Sequence, residues 1–242
     1  MPLAPTLAQI FASTETGIRT AEAMARGLMA TMHDAERIPR KGAALIVGNH
    51  SYLGVDSWAL SALLICRTGR MPRFLAERNL WKIPGAGGVL DAVGAIPGAP
   101  DDAVRLLSEG ELVCVYPGGI DDSFKLSSEA YQLRWKDRAG FAKVALRAKV
   151  PIVPIAATGV DEVFDLPRRE HFLGRALLGS PRYDFPLPRS LMPRRVPLDF
   201  YVLPPIESAG EASDAEAVER LRKATFDALE SVLSPYRERH SK

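Results

Sequence analysis

The sequence lacks any hydrophobic run long enough to cross a membrane. Its longest apolar stretch, Trp58 to Cys66, is far shorter than the roughly 20 residues that a transmembrane helix needs. The first residues also lack the basic start and continuous apolar segment of a signal peptide. We therefore expect any association with a membrane to be peripheral.

Cysteine and net charge are both low, which excludes several classes of protein. The 242 residues contain two cysteines, Cys66 and Cys114, and both lie within apolar runs, as buried thiols of a reducing compartment do. No cluster of cysteine and histidine has the spacing of zinc ligands, so we predict no metal site. The formal net charge is only +2, so the overall charge gives no indication of nucleic-acid binding.

What the sequence does contain is an alternation of short apolar segments with helical patterns from residue 43 onward. The predicted strands are Ala43 to Val47, Arg73 to Ala76, Ala95-Ile96, Leu112 to Tyr116, Ile152 to Ala156 and Val196 to Leu203. The predicted helices are Asp56 to Arg67, Gly85 to Val93, Asp101 to Glu109, Arg138 to Ala148 and Ala215 to Leu233. With 47% hydrophobic residues the chain can form one large domain, and the alternation predicts an α/β fold with helices on both faces of a sheet.

The region before residue 43 has a helical pattern. Residues 5 to 34 carry apolar side chains at mostly helical spacing, which predicts one or two amphipathic helices. Their polar face mixes acids and bases, so packing against the domain is favoured over lying on a bilayer. Pro39 and Gly42 end this region, and we divide the chain into an N-terminal helical segment, residues 1–40, and a main domain, residues 41–242.

One histidine stands where a predicted strand ends. The run Ala43 to Val47 leads to His50, and Asp56 follows six positions later. A neutral imidazole whose second ring nitrogen is held by a carboxylate is the minimum that a general base needs. The alternative is a core histidine bound to an aspartate that caps the next helix, because Asp56 precedes an apolar segment. Pro117 also follows an apolar strand, and such strand ends can share one crevice.

Residues 164 to 197 break the alternation, because they are rich in proline, aromatic residues and arginine. The arginines are Arg168, Arg169, Arg175, Arg182, Arg189, Arg194 and Arg195. We predict a long irregular loop whose arginines suit an anionic bilayer, where each basic residue contributes roughly 1 kcal/mol. A solvated loop folded over the domain is the alternative, and nucleic acid is a weaker third partner.

Four sequence blocks occur in one order, and together they resemble a known family. The first is Asn49-His50 with Asp56, and the second runs from Phe74 to Gly85 and continues to Gly94-Ala95-Ile96-Pro97. The third is Val115-Tyr116-Pro117-Gly118-Gly119, and the fourth is Val150-Pro151-Ile152-Val153-Pro154. Over about residues 43 to 205 the chain resembles the glycerolipid acyltransferase superfamily, the lysophosphatidate acyltransferase-like proteins.

Two departures from the best-known members of this superfamily make the chain more similar to its monoacylglycerol and diacylglycerol acyltransferase-like branch. Five residues, instead of four, separate His50 from Asp56, and Gly118 stands where the best-known members carry a glutamate. A basic residue commonly follows this third block in relatives, whereas Asp121 and Asp122 follow it here. Two carboxylates would repel an acceptor phosphate, which favours a neutral or zwitterionic acceptor.

The resemblance implies a single α/β domain with a mixed, mostly parallel sheet flanked by helices, residues 41–242 being the acyltransferase domain. It implies transfer of an acyl group from acyl-CoA or acyl carrier protein to a hydroxyl of a lysophospholipid, monoacylglycerol or diacylglycerol. His50 would be the general base and Asp56 its partner, with no metal, cofactor or covalent enzyme intermediate. The implied place is peripheral, on the inner, cytoplasmic face of the membrane. A thioesterase or lipid hydrolase, or a lipid-binding protein without catalysis, is the alternative.

The resemblance also implies a set of substrate-binding residues: Asn49, Arg78, Tyr116, Pro117, Gly118 and Gly119. The glycine pair would let the backbone approach the substrate and offer N–H groups to an oxyanion, with a plain tight turn as the alternative. Arg78 and Lys82 would meet phosphate groups of the substrates, or else form a solvated helical face.

Overall fold

The described residues form a seven-stranded central sheet. A computed structural model describes residues 10, 12–82, 87–88, 90, 94–170 and 185–240. The strands are β1 (Ala30–His33), β2 (Ala44–Gly48), β3 (Arg73–Ala76), β4 (Ile96–Pro97), β5 (Leu112–Val115), β6 (Ile152–Thr158), β7 (Arg168–Glu170), β8 (Phe185–Leu187) and β9 (Leu198–Val202). The order in the large sheet is β1-β9-β6-β2-β5-β3-β4, and β7 and β8 form a separate pair.

The helices alternate with these strands along the chain. They are α1 (Glu15–Gly27), α2 (Val55–Thr68), α3 (Pro100–Ser108), α4 (Ile120–Ser123), α5 (Gly140–Ala148) and α6 (Ala215–His240). Short 3₁₀ segments lie at Ala35–Arg37, Tyr52–Gly54, Arg78–Lys82, Ser127–Glu129 and Val160–Glu162.

The large sheet is parallel apart from one antiparallel pair, β6 with β9. Strand β2 lies between β6 and β5, with Val47 opposite Pro154 on one side and opposite Val115 on the other. Parallel strands end at the same edge of a sheet, so the residues after β2, β5 and β6 come together. This mixed, mostly parallel sheet confirms the predicted fold class.

Helices cover both faces of the sheet, as the alternation predicted. Helices α1 and α2 pack together on one face, and α3, α5 and α6 lie on the other. Ile46 of β2 packs in the hydrophobic core on the face covered by α1 and α2. Leu45 and Val47 pack in the core on the opposite face, and all three side chains are 0% exposed. A strand buried on both faces is a continuous apolar run in the sequence, which is why this one was predictable.

The prediction of helix over residues 5 to 34 is wrong at its end. Helix α1 stops at Gly27, and residues 30–33 form β1, which pairs in parallel with β9. Met29 has a left-handed backbone, φ 52°, which turns the chain out of the helix. Leu28 and Met32 are four residues apart and therefore fit a helical repeat, although Met32 is buried in the sheet.

Other boundaries differ from the prediction as well. The last helix, predicted to end at Leu233, continues to His240 with Pro235 inside it. The predicted irregular loop, residues 164 to 197, contains the antiparallel pair β7 and β8. The predicted helix Gly85 to Val93 lies mostly outside the described residues, and Arg175 and Arg182 lie wholly outside them.

Candidate active site

His50 follows the carboxyl end of the central strand. Strand β2 ends at Gly48, which approaches β6 so closely that an added Cβ would lie 2.9 Å from the Ile155 carbonyl oxygen. Asn49 fixes the exit of the strand, because its Nδ2 donates to the Ala157 carbonyl (2.9 Å) and its Oδ1 accepts from the Ala157 N–H (2.8 Å). Asn49 is 1% exposed. It therefore anchors the exit of the strand, and its predicted role in substrate binding stays a prediction.

The fold brings His50 and Asp56 into contact. His50 Nδ1 lies 3.1 Å from Asp56 Oδ1 and 3.0 Å from Oδ2. Leu53 and Gly54 have left-handed backbones, φ 56° and 66°, and these turn the chain so that Asp56 returns to the histidine. Because Nδ1 is directed at the carboxylate, Nε2 is the ring nitrogen left for a substrate.

Asp56 does not cap the helix, so the capping alternative is wrong. Helix α2 begins at Val55, and the residue before it, Gly54, provides no side-chain cap. The Asp56 carboxylate, 1% exposed, accepts from the Ser51 N–H (2.9 Å) and the Ser51 Oγ (2.6 Å). Ser57 Oγ donates to its second oxygen at 3.3 Å. Ser51 thus positions the Asp56 carboxylate, a role for which its place beside His50 was the only sequence signal.

The electrostatics of the pair favour an imidazole bound to a carboxylate. Burial acts to lower the pKa of His50, but the charge and hydrogen bond of Asp56 outweigh it and raise that pKa above 6.5. Burial acts to raise the pKa of Asp56, and the imidazole and Ser51 outweigh it, so that pKa falls below 3.8. Asp56 is therefore ionised at neutral pH and can stabilise an imidazolium.

Tyr116 forms a wall of the site. Its ring stacks on the His50 imidazole with 4.3 Å between centroids and 8° between planes, and Phe74 stacks against Tyr116 in turn. The Tyr116 hydroxyl lies 3.2 Å from Ser57 Oγ, within hydrogen-bond distance. Burial raises the pKa of Tyr116 well above 10.0, so the hydroxyl stays neutral. Tyr116 therefore fixes the plane of the His50 ring, and its predicted contact with substrate stays a prediction.

The turn Pro117-Gly118-Gly119 follows β5 at the same edge of the sheet. The Gly119 N–H donates to the Tyr116 carbonyl at 2.9 Å, so this group is already used within the turn. Gly119 has φ 52° and ψ −132°, a conformation open to glycine almost alone. Arg138 holds the turn from outside, because its guanidinium donates to the Gly118 carbonyl at 2.5 Å. Arg138 lies 20 residues away in sequence, and nothing local indicated this contact.

Of the two aspartates after the turn, Asp121 is ion-paired and Asp122 is buried, so the charge available to repel a phosphate is reduced. Asp121 binds Lys136 at 3.1 Å and also pairs with Arg138. Asp122 is fully buried, accepts from the Arg134 N–H at 2.6 Å, and interacts electrostatically with the buried Lys125. This weakens the argument that the two carboxylates favour a neutral or zwitterionic acceptor, and the choice of acceptor stays a prediction.

Arg78 is the remaining predicted substrate contact. It follows β3 in the 3₁₀ segment Arg78–Lys82 and is exposed. Strand β3 is parallel to β5, so Arg78 lies at the same edge of the sheet as the turn after Tyr116. Its contact with a substrate phosphate stays a prediction.

Gly118 is required for a steric reason that yields a direct test. An added Cβ would lie 2.0 Å from the Asp122 Cγ, so Gly118→Ala is expected to lower the free energy of unfolding by about 1–3 kcal/mol and to reduce turnover. Chemical denaturation and a transfer assay measure the two effects.

The control is Gly140→Ala in α5, where an added Cβ meets nothing within 4 Å. Native stability and turnover in Gly118→Ala would show that the Asp122 carboxyl group moves aside without cost.

Two further observations concern metals and membranes. Within the ranges that the structure describes, no three His, Cys, Asp or Glu side chains form a group able to hold a metal ion. Within the same ranges, no helix combines the length and the apolar character of a bilayer span.

Several known proteins are similar to this chain over part of their length. A "DGAT1/2-independent enzyme synthesizing storage lipids" from Bos taurus is 37% identical over 133 residues, which is 55% of this chain and 40% of the relative. The Homo sapiens protein of the same description is 36% identical over 133 residues, 55% of this chain and 41% of the relative. An uncharacterized Mycobacterium tuberculosis protein is 36% identical over 167 residues, 65% of this chain and 46% of the relative. The chain thus spans less than half the length of these relatives.

A solved structure shares the fold. The crystal structure of the 1-acyl-sn-glycerophosphate (LPA) acyltransferase PlsC from Thermotoga maritima matches with a TM-score of 0.57. The match covers 90% of this chain and 81% of that chain at 17% sequence identity, so the likeness concerns the fold.

The family model described as Acyltransferase matches residues 30–158, which run from the first residue of β1 to the last residue of β6. That segment is more than half of the 242 residues and contains His50, Asp56 and the turn after Tyr116. The resemblance predicted from the four sequence blocks is confirmed, and this chain belongs to the Acyltransferase family, within the glycerolipid acyltransferase superfamily.

Proposed function

We propose that this chain transfers a fatty acyl group from an acyl thioester to a hydroxyl of a lipid acceptor. The observation that carries the proposal is the His50–Asp56 pair, 3.0 Å apart, at the carboxyl end of the central strand. The donor is acyl-CoA or an acyl carrier protein, and the acceptor is a lysophospholipid, a monoacylglycerol or a diacylglycerol. No cofactor enters the proposed reaction.

His50 is the proposed general base. Its Nε2 takes the proton of the acceptor hydroxyl while the hydroxyl oxygen bonds to the thioester carbonyl carbon. Asp56 holds the proton on Nδ1 and stabilises the imidazolium that forms. When the tetrahedral intermediate collapses, the carbon–sulfur bond breaks, the thiolate leaves, and the imidazolium returns the proton to sulfur. No net charge is gained or lost, and His50 is neutral again for the next turnover.

The turn after β5 is the proposed place for the oxyanion. The Gly119 N–H is occupied by the Tyr116 carbonyl, so of the glycine pair the Gly118 N–H is the candidate donor. Arg138 binds the Gly118 carbonyl and thereby fixes the peptide plane of the turn. Pro117 and Gly118 are buried, and they follow Tyr116, whose ring stacks on the imidazole.

The paired charges around the turn widen the range of acceptors that we propose. Lys136 and Arg138 offset Asp121, and Lys125 lies against Asp161 at 2.9 Å. A lysophospholipid with a phosphate is therefore as compatible with this surface as an uncharged glyceride. The expectation of a peripheral protein on the inner, cytoplasmic face of a membrane stays a prediction.

The assay uses purified protein, a radiolabelled acyl-CoA or acyl carrier protein, and a panel of lipid alcohols. We expect labelled acyl lipid to form with at least one acceptor, with one free thiol released for each acyl group transferred. Thiol release without acylated lipid would overturn the proposal in favour of a thioesterase. Lipid binding without turnover of any thioester would overturn it in favour of a lipid-binding protein.

A further inference from the structure

The loop before β9 exposes two large apolar side chains. Leu191 is 87% exposed and Met192 is 79% exposed, more than any other large hydrophobic side chain in the part of the chain that the structure describes. They are adjacent in sequence, and a proline stands on each side of the segment, at positions 188 and 193. Exposing such a pair to water is unfavourable, so their position needs a reason.

The backbone on both sides of this pair is held in place. The Arg189 N–H donates to the Asp165 carbonyl and the Arg194 N–H donates to the Val163 carbonyl, each at 2.8 Å. The side chains of Arg189 and Arg194 also pair with the Asp165 carboxylate, at 3.4 and 3.1 Å. The apolar tip, Leu191 and Met192, therefore projects from a fixed base.

The tip extends from the edge of the sheet that carries His50. Val163 to Asp165 follow the carboxyl end of β6, which is parallel to β2. Phe164, between the two anchoring carbonyl groups, packs its ring edge-on against Tyr52 with 5.5 Å between centroids. Tyr52 lies two residues after His50, and its neighbour Leu53 is itself 60% exposed.

The charge around the tip is positive. Arg189, Arg194 and Arg195 are all exposed, and Asp165 is the acid that the structure pairs with this loop. Arg169, which the sequence also assigned to membrane binding, instead binds Glu129 at 2.5 Å within the domain. The basic surface suited to an anionic partner is therefore narrower than the whole arginine-rich segment.

We propose that Leu191 and Met192 insert into the interface of an anionic bilayer, with the flanking arginines on lipid phosphates, so that the His50 edge faces the membrane. A protein partner needs about 800 Å² of surface on each side, which a tip of two residues does not offer. A bilayer interface accepts apolar side chains individually, and anionic headgroups match the arginines. This inference rests on the proposed function at one point, because that function explains why this edge of the sheet would face lipid.

The test is sedimentation of the full chain with vesicles of phosphatidylcholine, with and without phosphatidylglycerol, in the absence of any acyl donor. Leu191→Ser/Met192→Ser keeps the net charge and is expected to weaken binding to the anionic vesicles about tenfold or more. Arg194→Glu/Arg195→Glu is expected to abolish the preference for phosphatidylglycerol over pure phosphatidylcholine.

The matched control for charge is Arg105→Glu/Arg147→Glu. These residues lie near the carboxyl ends of α3 and α5, which precede β5 and β6, so they occupy the opposite edge of the sheet. Each is ion-paired to an aspartate, as Arg194 is, and the change in net charge is the same. This control is expected to bind vesicles as the native chain does.

Native binding by the Leu191→Ser/Met192→Ser variant would overturn the proposal, as would an equal loss in the Arg105→Glu/Arg147→Glu control. A native chain that does not bind vesicles but self-associates through the tip would overturn it too. His50→Ala is expected to bind vesicles normally, because no turnover is needed. Tip-dependent binding without acyl transfer on any substrate would therefore refute the proposed function and leave the docking surface standing.

Discussion

Replacing His50 with alanine is expected to reduce kcat for acyl transfer by about 100- to 10,000-fold, because the Nε2 that takes the acceptor proton is removed. His50 Nδ1 lies 3.0 Å from Asp56 Oδ2, so the native ring is already oriented for this role. KM for the thioester is expected to change far less, since the proposed base contacts the acceptor hydroxyl. Initial rates with labelled thioester and a saturating acceptor measure both constants.

His33 provides a matched control for this variant. Its Nε2 lies 2.8 Å from Asp199 Oδ1, and its ring stacks on Tyr201 with 4.6 Å between centroids, so the same three residue types are in contact. It stands on edge strand β1, outside the proposed site. His33→Ala is expected to keep native kcat. A folded His50→Ala variant with native kcat would remove His50 from the mechanism.

Asp56→Asn is expected to reduce kcat by up to about 10,000-fold, because the amide no longer holds the proton on Nδ1 or stabilises the imidazolium. The side chain keeps its size, and its oxygen can still accept from Ser51. Thermal unfolding is therefore measured beside kcat, so that a change in stability is separated from a change in chemistry.

The pH dependence of kcat/KM distinguishes this role from a structural one. A base must be neutral, so native activity is expected to fall as the pH drops through the His50 pKa, which Asp56 holds above 6.5. In Asp56→Asn the charge that raises this pKa is gone while burial still lowers it, so the acid limb moves to lower pH. An acid limb that stays in place would contradict the pairing of His50 with Asp56.

Two comparisons complete this experiment. Asp199→Asn removes the partner of His33 and is expected to leave the profile of kcat/KM unchanged. His50→Ala/Asp56→Asn is expected to lose no more activity than His50→Ala alone, because the two residues act as a unit. Losses that multiply would show that Asp56 contributes independently of the imidazole.

The fold class was predictable because its signals are local. Buried parallel strands such as β2 and β6 are continuous apolar runs, and the intervening helices repeat at their own period. Strand β1 was missed because it is only four residues long. Its buried Met32 lies four residues after Leu28, which also fits a helical repeat. Its partner β9 lies far along the chain, so no local pattern showed that Ala30 pairs with Leu198.

The contacts of the candidate site also fall into those that the sequence indicated and those that it did not. His50 and Asp56 are six residues apart, and a single turn at Leu53 and Gly54 brings them together, so the pair was visible in the sequence. The Arg138 contact with Gly118 spans 20 residues, and the Asn49 contacts with Ala157 span 108. The charges of Asp121 and Asp122 were visible, but the pairing of Asp121 with Lys136 and Arg138 and the burial of Asp122 were not.

By itself, the amino-acid sequence determined the α/β class, the histidine at the strand end with its downstream acid, and the family. Tertiary structure alone decided which polar groups are already occupied: Asn49 by Ala157, the Gly119 N–H by Tyr116, and Asp121 by Lys136 and Arg138. It also decided that Leu191 and Met192 project from the His50 edge. The physical reason is that hydrophobic periodicity and close neighbours are encoded locally, whereas hydrogen-bond partners and solvent exposure depend on residues that only folding brings together.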